Sequence, residues 1–281
     1  MRLVETFGLA DLKDVTLVIA LKGWVDGGGV ASSAGQHLSG DGPVMARFDP
    51  DGIYDYAGRR PLISFESGTS DEIGWPDLVV RHNRIGDRDL LLLVGDEPQI
   101  GWNAVTKDMA ELAGLYGVQR VVTLGAIPAQ VPHTRPTPLL VTSTDPELQP
   151  TGVPVGKFVV PAAAANAIDH HLKENLGLPT AGFWAQVPHY VTGVYWPGVL
   201  AVVERVGMYL EQPVDTSILA NEAAAMVARL DLAVSERPEA REFLARIEEA
   251  QLSLDEAMGQ DLANEIEDFL RAIGEDENPF S

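Results

Sequence analysis

The sequence predicts an α/β protein, a three-layer α/β/α sandwich in which helices cover both faces of a central sheet. Two apolar runs, residues 15–21 and 90–94, are rich in branched side chains and too short to span a membrane. Such runs are typical of strands buried on both faces, as in a parallel sheet covered by helices. Helical spacing of apolar residues follows these strands, and the alternation continues to residue 212. This pattern indicates an α/β core domain over residues 1–212.

The first strand–turn–helix unit of this core contains a triple glycine, Gly27–Gly29, directly after the strand at 15–21. The helix that follows is indicated by apolar residues at every fourth position, Val30, Ala34 and Leu38. Backbone amides of such a turn can approach an anion at a helix N-terminus. However, the lysine of a phosphate-binding loop and the last glycine of the dinucleotide fingerprint are both missing from the sequence. A tight turn with close packing is therefore the alternative interpretation.

The remaining core elements follow in order. Residues 62–66 either extend the sheet or form an edge hairpin, whereas strands at 78–85 and 89–95 are joined by a tight turn. Further strands are predicted at 119–127, 139–144 and 181–187, and further helices at about 105–116, 161–176 and 197–212.

Residues 213–281 form a separate, acidic region in this interpretation. Helical spacing of apolar residues predicts a helical hairpin or small bundle that either clasps the sandwich or meets a neighbouring subunit. Residues 211–281 carry 18 acidic and 5 basic side chains. This excess suits a solvated helical surface, and the alternative is an acidic docking face for a basic partner.

Composition excludes several classes of function. The net charge of −21 argues against nucleic acid and anionic membranes as partners. No run reaches the roughly 18 apolar residues of a membrane span, and the first residues lack the apolar core of a signal peptide, so we predict a cytoplasmic protein. Cysteine is absent from the sequence, which excludes thiol catalysis. His170 and His171 diverge on a predicted helix. We expect no metal site and no bound cofactor.

A candidate pocket is predicted where polar residues follow the strands. The carboxyl ends of parallel strands share one edge of the sheet, and open α/β folds keep ligand crevices there. The residues that we place at this pocket are Asp26, Gly27, Gly28, Asp49, Asp55, Arg60, Glu97, His133, Arg135 and His189. We identify none of them as catalytic.

Each polar group in this set has two interpretations. Asp26 is either a cap of the first helix or a site carboxylate. The loop with Asp49, Asp55, Arg59 and Arg60 either binds a polar or anionic substrate or is ordered by pairing among its own charges. Glu97 is suited to binding hydroxyls or acting as a base, or else faces solvent. The two Pro-His pairs, at His133 and His189, predict a shared crevice or are ordinary loop residues.

Five segments give the chain its resemblance to a known family. They are GWVDGGGVASS at 23–33, DPDGIYDYAGRRP at 49–61, GDEP at 95–98 with Trp102, PHTRP at 132–136, and WAQVPHYV at 184–191. With these in this order, the chain resembles the proteasome assembly chaperone 2 (PAC2) family, in its longer bacterial branch with a helical C-terminal extension.

The resemblance implies a core similar to the nucleoside phosphorylase fold, a homotrimer, and a proteasome-like protein partner. Chaperones of that family dock through a C-terminal hydrophobic-Tyr-X tail, and here Phe280 stands in place of the tyrosine, with Pro279 before it.

Two hypotheses about function follow. The first is an oligomeric binding or assembly protein that acts on proteasome-like complexes, and the sequence favours it. The second is an enzyme of the nucleoside phosphorylase or hydrolase type. In that case Asp26 or Glu97 would bind hydroxyls or act as base, and His133 or His189 would transfer protons. The anion would be held by two arginines, Arg60 and Arg135.

Overall fold

The computed structural model describes residues 4–6, 12–66, 69–145, 147–152 and 159–253. The strands in these ranges are β1 (Val4–Thr6), β2 (Val15–Lys22), β3 (Val44–Phe48), β4 (Leu62–Glu66), β5 (Thr69–Gly74), β6 (Leu78–Ile85), β7 (Arg88–Asp96), β8 (Val118–Ala129), β9 (Leu139–Ser143) and β10 (Thr180–Pro188). The helices are α1 (Val30–Ser39), α2 (Pro50–Ile53), α3 (Trp102–Leu115), α4 (Ala164–Leu176), α5 (Trp196–Leu210), α6 (Ser217–Ser235) and α7 (residues 238–253).

Eight strands form one mixed sheet in the order β1-β3-β6-β7-β2-β8-β10-β9. The four central strands β7, β2, β8 and β10 are parallel, and their neighbours on both sides are antiparallel. Two antiparallel steps separate β3 from β7, so β3 runs in the direction of the central strands. We call the edge where these five strands end the carboxyl edge, and the opposite one the amino edge.

Helices cover both faces of this sheet, which confirms the predicted three-layer α/β/α arrangement. On β2, Leu17 and Ile19 belong to a core shared with α3 and α4. Their neighbours Val18 and Ala20 belong to a second core shared with α1, α5 and α6. Because side chains alternate across a strand, the continuous apolar run of β2 supplies both cores. The finer likeness to the nucleoside phosphorylase fold stays a prediction.

The segment at 62–66 does not join the main sheet. It pairs with β5 in a separate two-stranded hairpin, and the side chains of both strands are exposed. Leu62 is 78% exposed and Phe65 is 65% exposed. The hairpin is anchored where Trp75 packs edge-on against Tyr56, with ring centroids 5.1 Å apart.

Helices α6 and α7 pack back onto the sandwich. Leu219 and Met226 of α6 are buried in the core shared with α5, and Ile247 of α7 is also buried. The hydroxyl of Thr134, in the loop after β8, donates a hydrogen bond of 2.5 Å to Glu248 Oε1 of α7. Of the two predicted arrangements, the described part of this region therefore contacts its own chain. The tail with Phe280 lies outside the described residues.

Among the described residues, no helix combines the length and the apolar character that crossing a membrane requires.

Candidate functional site

Asp26 stabilises the start of α1 from the carboxyl edge. Its Oδ1 accepts the backbone N–H of Ser32 at 3.1 Å, and its Oδ2 accepts the hydroxyl of Ser32 at 2.6 Å. Burial raises the pKa of Asp26 above its ordinary value, and the hydrogen bonds from Ser32 oppose that rise. A carboxylate that satisfies the amide and hydroxyl of a first-turn residue acts as a helix cap. This geometry fits the capping interpretation of Asp26.

The triple glycine makes a close packing contact. A Cβ on Gly27 would lie 3.0 Å from the carbonyl oxygen of Ala126 in β8. Gly28 has a φ of 58°, in the left-handed region, and a Cβ there would lie 3.0 Å from the Cβ of Tyr195. The carbonyl of Gly28 also accepts the backbone N–H of Tyr195 at 2.8 Å. These contacts explain why glycine stands at both positions: the turn packs closely between β8 and the start of α5, where a side chain would not fit.

Glu97 joins two loops at this edge. One carboxylate oxygen accepts the backbone N–H of Trp24 at 2.7 Å, and the other accepts the N–H of Ala164 at 2.7 Å. Ala164 is the first residue of α4, so the carboxylate also lies at the positive end of that helix dipole. Both oxygens of Glu97 are therefore used within the fold. Beside them, the side chain of Trp24 is 70% exposed.

The loop after β3 is ordered by local bonds. Asp49 accepts the N–H of Asp51 at 3.1 Å and caps α2, and Asp55 accepts the N–H of Ala57 at 2.9 Å. Arg60 is exposed.

An ion pair then fastens this loop to the central sheet. Arg59 pairs with Asp96 at the end of β7, and the hydroxyl of Tyr54 donates to the Asp96 carbonyl at 2.7 Å. Sequence reasoning included Arg59 among the charges of this loop, but it missed Asp96, which adjoins Glu97, as the partner of Arg59. The signal was their position in two of the five family segments.

The two Pro-His loops meet at Tyr190. The Tyr190 hydroxyl accepts the backbone N–H of His133 at 2.9 Å and lies 2.8 Å from Nδ1 of the same histidine. A hydroxyl has one donor and two acceptor sites, so the Tyr190 hydroxyl can serve either tautomer of the His133 ring. The ring of His189 packs edge-on against Tyr190 with centroids 5.6 Å apart. Burial raises the pKa of Tyr190, so its hydroxyl stays protonated at neutral pH.

The C-terminal helices cover this cluster. His133 is 2% exposed, and its Nε2 lies 3.3 Å from Oδ1 of Asp231 in α6. Phe243 of α7 packs against His189 with centroids 5.6 Å apart. Arg135 lies partly buried in the same loop as His133. The two histidines therefore share a contact with Tyr190, but α6 covers His133, whereas His189 remains exposed beside Phe243.

The ten predicted residues lie along the carboxyl edge in three groups. Asp26, Gly27, Gly28 and Glu97 surround the end of β2, the second group follows β3, and the histidines with Arg135 follow β8 and β10. Five strand steps separate β3 from β10, a distance of roughly 24 Å at the usual strand spacing.

A cavity of about 480 Å³ lies between α1 and strands β2, β6 and β7, but none of the ten residues lines it. Within the described ranges, no three His, Asp or Glu side chains are grouped as metal ligands.

Comparison with known proteins decides the family. The model of the PAC2 family matches residues 20–234, which is more than half of the chain. This chain belongs to the PAC2 family. All five segments quoted from the sequence fall inside the match, so the resemblance predicted from them is confirmed.

Several solved structures are similar to most of the chain. A Mycobacterium tuberculosis protein of unknown function is 28% identical, with 92% of each chain covered and a TM-score of 0.86. A PAC2 family protein from Streptomyces avermitilis is 30% identical over 82% of this chain and 99% of that one, with a TM-score of 0.72. A proteasome-assembly chaperone homologue from M. tuberculosis is 29% identical over the same shares, with a TM-score of 0.74. Among curated proteins, no sequence matches this chain.

Proposed function

We propose that this PAC2 protein is a cytoplasmic, proteasome-assembly-chaperone-like binding protein that works as a homo-oligomer. The observation that carries the proposal is its similarity to the M. tuberculosis proteasome-assembly chaperone homologue, at 29% identity over 99% of that chain. The partner in this proposal is a proteasome-like protein complex.

The bonds at the carboxyl edge support binding over catalysis. Asp26 holds the first turn of α1, Glu97 uses both oxygens within the fold, and His133 is buried beneath α6. A general base has to reach the proton that it removes from a substrate. Because these three groups have partners inside the protein, they favour a structural role over the nucleoside phosphorylase or hydrolase alternative.

The β4–β5 hairpin supplies a surface for self-association. Apolar side chains from both strands and the residue after them are exposed, namely Leu62, Ile63, Phe65, Ile73 and Trp75. A contiguous exposed apolar patch is a mark of a protein contact. The patch lies on an arm outside the main sheet, so a second copy of this chain can cover it without disturbing the sandwich. We propose that this contact builds the trimer.

Mild co-purification tests the partner. The full chain is recovered from cells under mild conditions and analysed by mass spectrometry. We expect a defined proteasome-like partner to be recovered with it. Repeated recovery of the homo-oligomer alone would contradict the assembly role.

A ligand screen tests the enzyme alternative separately. The thermal unfolding of the chain is followed with nucleosides in phosphate-free buffer. A ligand at 100 times its dissociation constant stabilises the native state by roughly 2.7 kcal/mol. We expect no shift, because the edge carboxylates are engaged; a saturable shift would favour the nucleoside enzyme over the binding protein.

A further inference from the structure

A second cavity lies at the amino edge of the sheet, opposite the residues discussed above. Its volume is about 370 Å³, and three arginines from three elements line it: Arg88, Arg120 and Arg205. Arg88 begins β7, Arg120 lies near the start of β8, and Arg205 lies in the second half of α5. The whole chain has 20 basic residues against 41 acidic ones. Three arginines at one cavity are therefore unusual for its composition.

The contacts of these arginines within the protein do not use all of their hydrogen-bond donors. Asp14 is shared, with its Oδ2 at 2.7 Å from Nη1 of Arg88 and its Oδ1 at 3.6 Å from Nη2 of Arg120. The guanidinium of Arg205 lies over the ring of Phe183, 5.5 Å from its centroid, and no carboxylate in the described part of the chain pairs with it. The Nε groups of Arg88 and Arg205 are buried without an acceptor from those residues.

Buried donors without acceptors cost free energy, about 1–3 kcal/mol each and more when charged. An acceptor that reaches these donors would recover this cost.

Three acidic residues also line the cavity, namely Asp145, Glu147 and Glu211. Asp145 accepts the hydroxyl of Tyr209 at 2.7 Å and the backbone N–H of Glu147 at 3.0 Å, so both of its oxygens have donors within the fold. The side chains of Glu147 and Glu211 are exposed, so water solvates their charge. The arginines are more buried than these glutamates, and Arg205 has no carboxylate partner in the described part of the chain.

We propose that this cavity binds a small phosphate-type oxyanion, either inorganic phosphate or the phosphate group of a small monoester. Guanidinium groups bind tetrahedral oxyanions through paired, charge-assisted hydrogen bonds, and three of them surround this space. The volume lies within the range of small-molecule pockets, roughly 300–1,000 Å³, and it leaves room for an organic group beside the phosphate. The site is independent of the assembly role proposed above.

Asp14 is the internal competitor for this ligand. It holds its carboxylate against Arg88 and Arg120 with a backbone φ of 48°, a left-handed conformation that is uncommon for residues other than glycine. Asparagine tolerates this conformation as well as aspartate does. Replacing Asp14 by Asn therefore removes the competing charge and keeps the local backbone.

Isothermal titration calorimetry of the full chain tests the site. The probes are inorganic phosphate and glycerol 3-phosphate, each titrated at constant ionic strength set with KCl. Constant ionic strength is needed because any salt screens the self-repulsion of a strongly acidic protein. We expect saturable binding of at least one probe, and the tighter of the two identifies the free anion or the monoester as the ligand.

Variants assign the binding to the arginines. Arg205→Gln should weaken binding at least about tenfold, since it removes a charged donor, and Asp14→Asn should tighten it. Arg241→Gln is the matched control, because it removes the same charge from an exposed position on α7; it should leave the affinity unchanged. If Arg205→Gln fails to fold by circular dichroism, Arg120→Gln replaces it. Absence of saturable heat with both probes, or equal affinity in the arginine variant and the wild type, would overturn the proposal.

Discussion

Replacing Glu97 by glutamine should destabilise the fold by about 2–3 kcal/mol, because the carboxylate is a structural clamp. Its two oxygens accept the backbone N–H groups of Trp24 and Ala164, each at 2.7 Å. Glutamine has the same shape but only one oxygen. Its NH₂ group would face one of the two backbone donors, so that one hydrogen bond is lost and replaced by a donor–donor contact.

The magnitude follows from the two parts of the loss. A hydrogen bond to a charged group contributes about 1.5–3 kcal/mol, and a carboxylate at a helix N-terminus contributes a further 0.3–1 kcal/mol or so. The Trp24 end of the clamp is exposed, where water can replace the lost partner, so the lower half of the combined range applies. For a chain of this size each kcal/mol shifts the midpoint of thermal unfolding by roughly 2–4 °C, which gives a decrease of about 4–12 °C.

Urea unfolding at a fixed protein concentration measures this change, since the stability of an oligomer depends on concentration. Glu204→Gln is the control, because Glu204 is an exposed carboxylate on α5 and its replacement removes the same charge. We expect the control to unfold at the wild-type urea concentration. If Glu97→Gln also does so, Glu97 is not a clamp and becomes available again as a site carboxylate.

Three further predictions test other parts of the structure. The proposed trimer has a mass of about 91 kDa, three times that of the 30.3 kDa chain. Phe65→Asp on the hairpin should convert this proposed trimer to the monomer in light scattering, whereas Leu232→Asp, 61% exposed on α6, should leave it intact. Dissociation of both variants or of neither contradicts the hairpin contact. Gly28→Ala should lose more stability on urea unfolding than Gly193→Ala. Both glycines have a positive φ, which costs about 1–2 kcal/mol for alanine, but of the two only Gly28 has neighbours at contact distance. Equal losses would rule out close packing at Gly28. Burial raises the pKa of Asp169 to about 6, so the folded state binds more protons than the unfolded state between about pH 4 and 6. The free energy of unfolding should therefore fall as pH rises across that window. Asp169→Asn should flatten this dependence on pH, and an unchanged dependence would show that another group causes it.

Local pattern was sufficient to predict the layers of the fold. The run from Leu17 to Leu21 in β2 is apolar at every position, so both of its faces had to be covered, and the two cores that share it confirm this. The hairpin at 62–66 could not be decided from its sequence. Whether a strand joins the main sheet depends on which strands have a free edge to pair with. Here β3, the strand that precedes the hairpin, is paired with β1 on one side and β6 on the other, and β4 pairs with β5 instead.

Strand order was the missing information for the candidate site. The loops after β2 and β3 are close in sequence, and both leave the carboxyl edge as predicted. In the sheet, however, β6 and β7 lie between these strands and keep the loops apart. Tyr190, which joins the two histidine loops, was present in a quoted segment, but a contact across 57 residues leaves no local signal.

The arginine cavity was missed for a different physical reason. The rule that places ligands at the carboxyl ends of parallel strands directs attention to one edge of the sheet, and Arg88 and Arg120 stand at the opposite ends of their strands. In this protein most polar groups of the carboxyl edge have partners within the fold, and α6 covers His133. Buried groups without a hydrogen-bond partner lie at both edges of the described sheet, namely Nε of Arg88 and Arg205 at the amino edge and Nε2 of His133 at the carboxyl edge. The three guanidinium groups that line one cavity, rather than strand direction, are therefore the reason for placing a small-molecule site at the amino edge. Titration of phosphate against the Arg205 and Asp14 variants separates the two criteria, because their effects on affinity have opposite signs only if the ligand sits among the arginines.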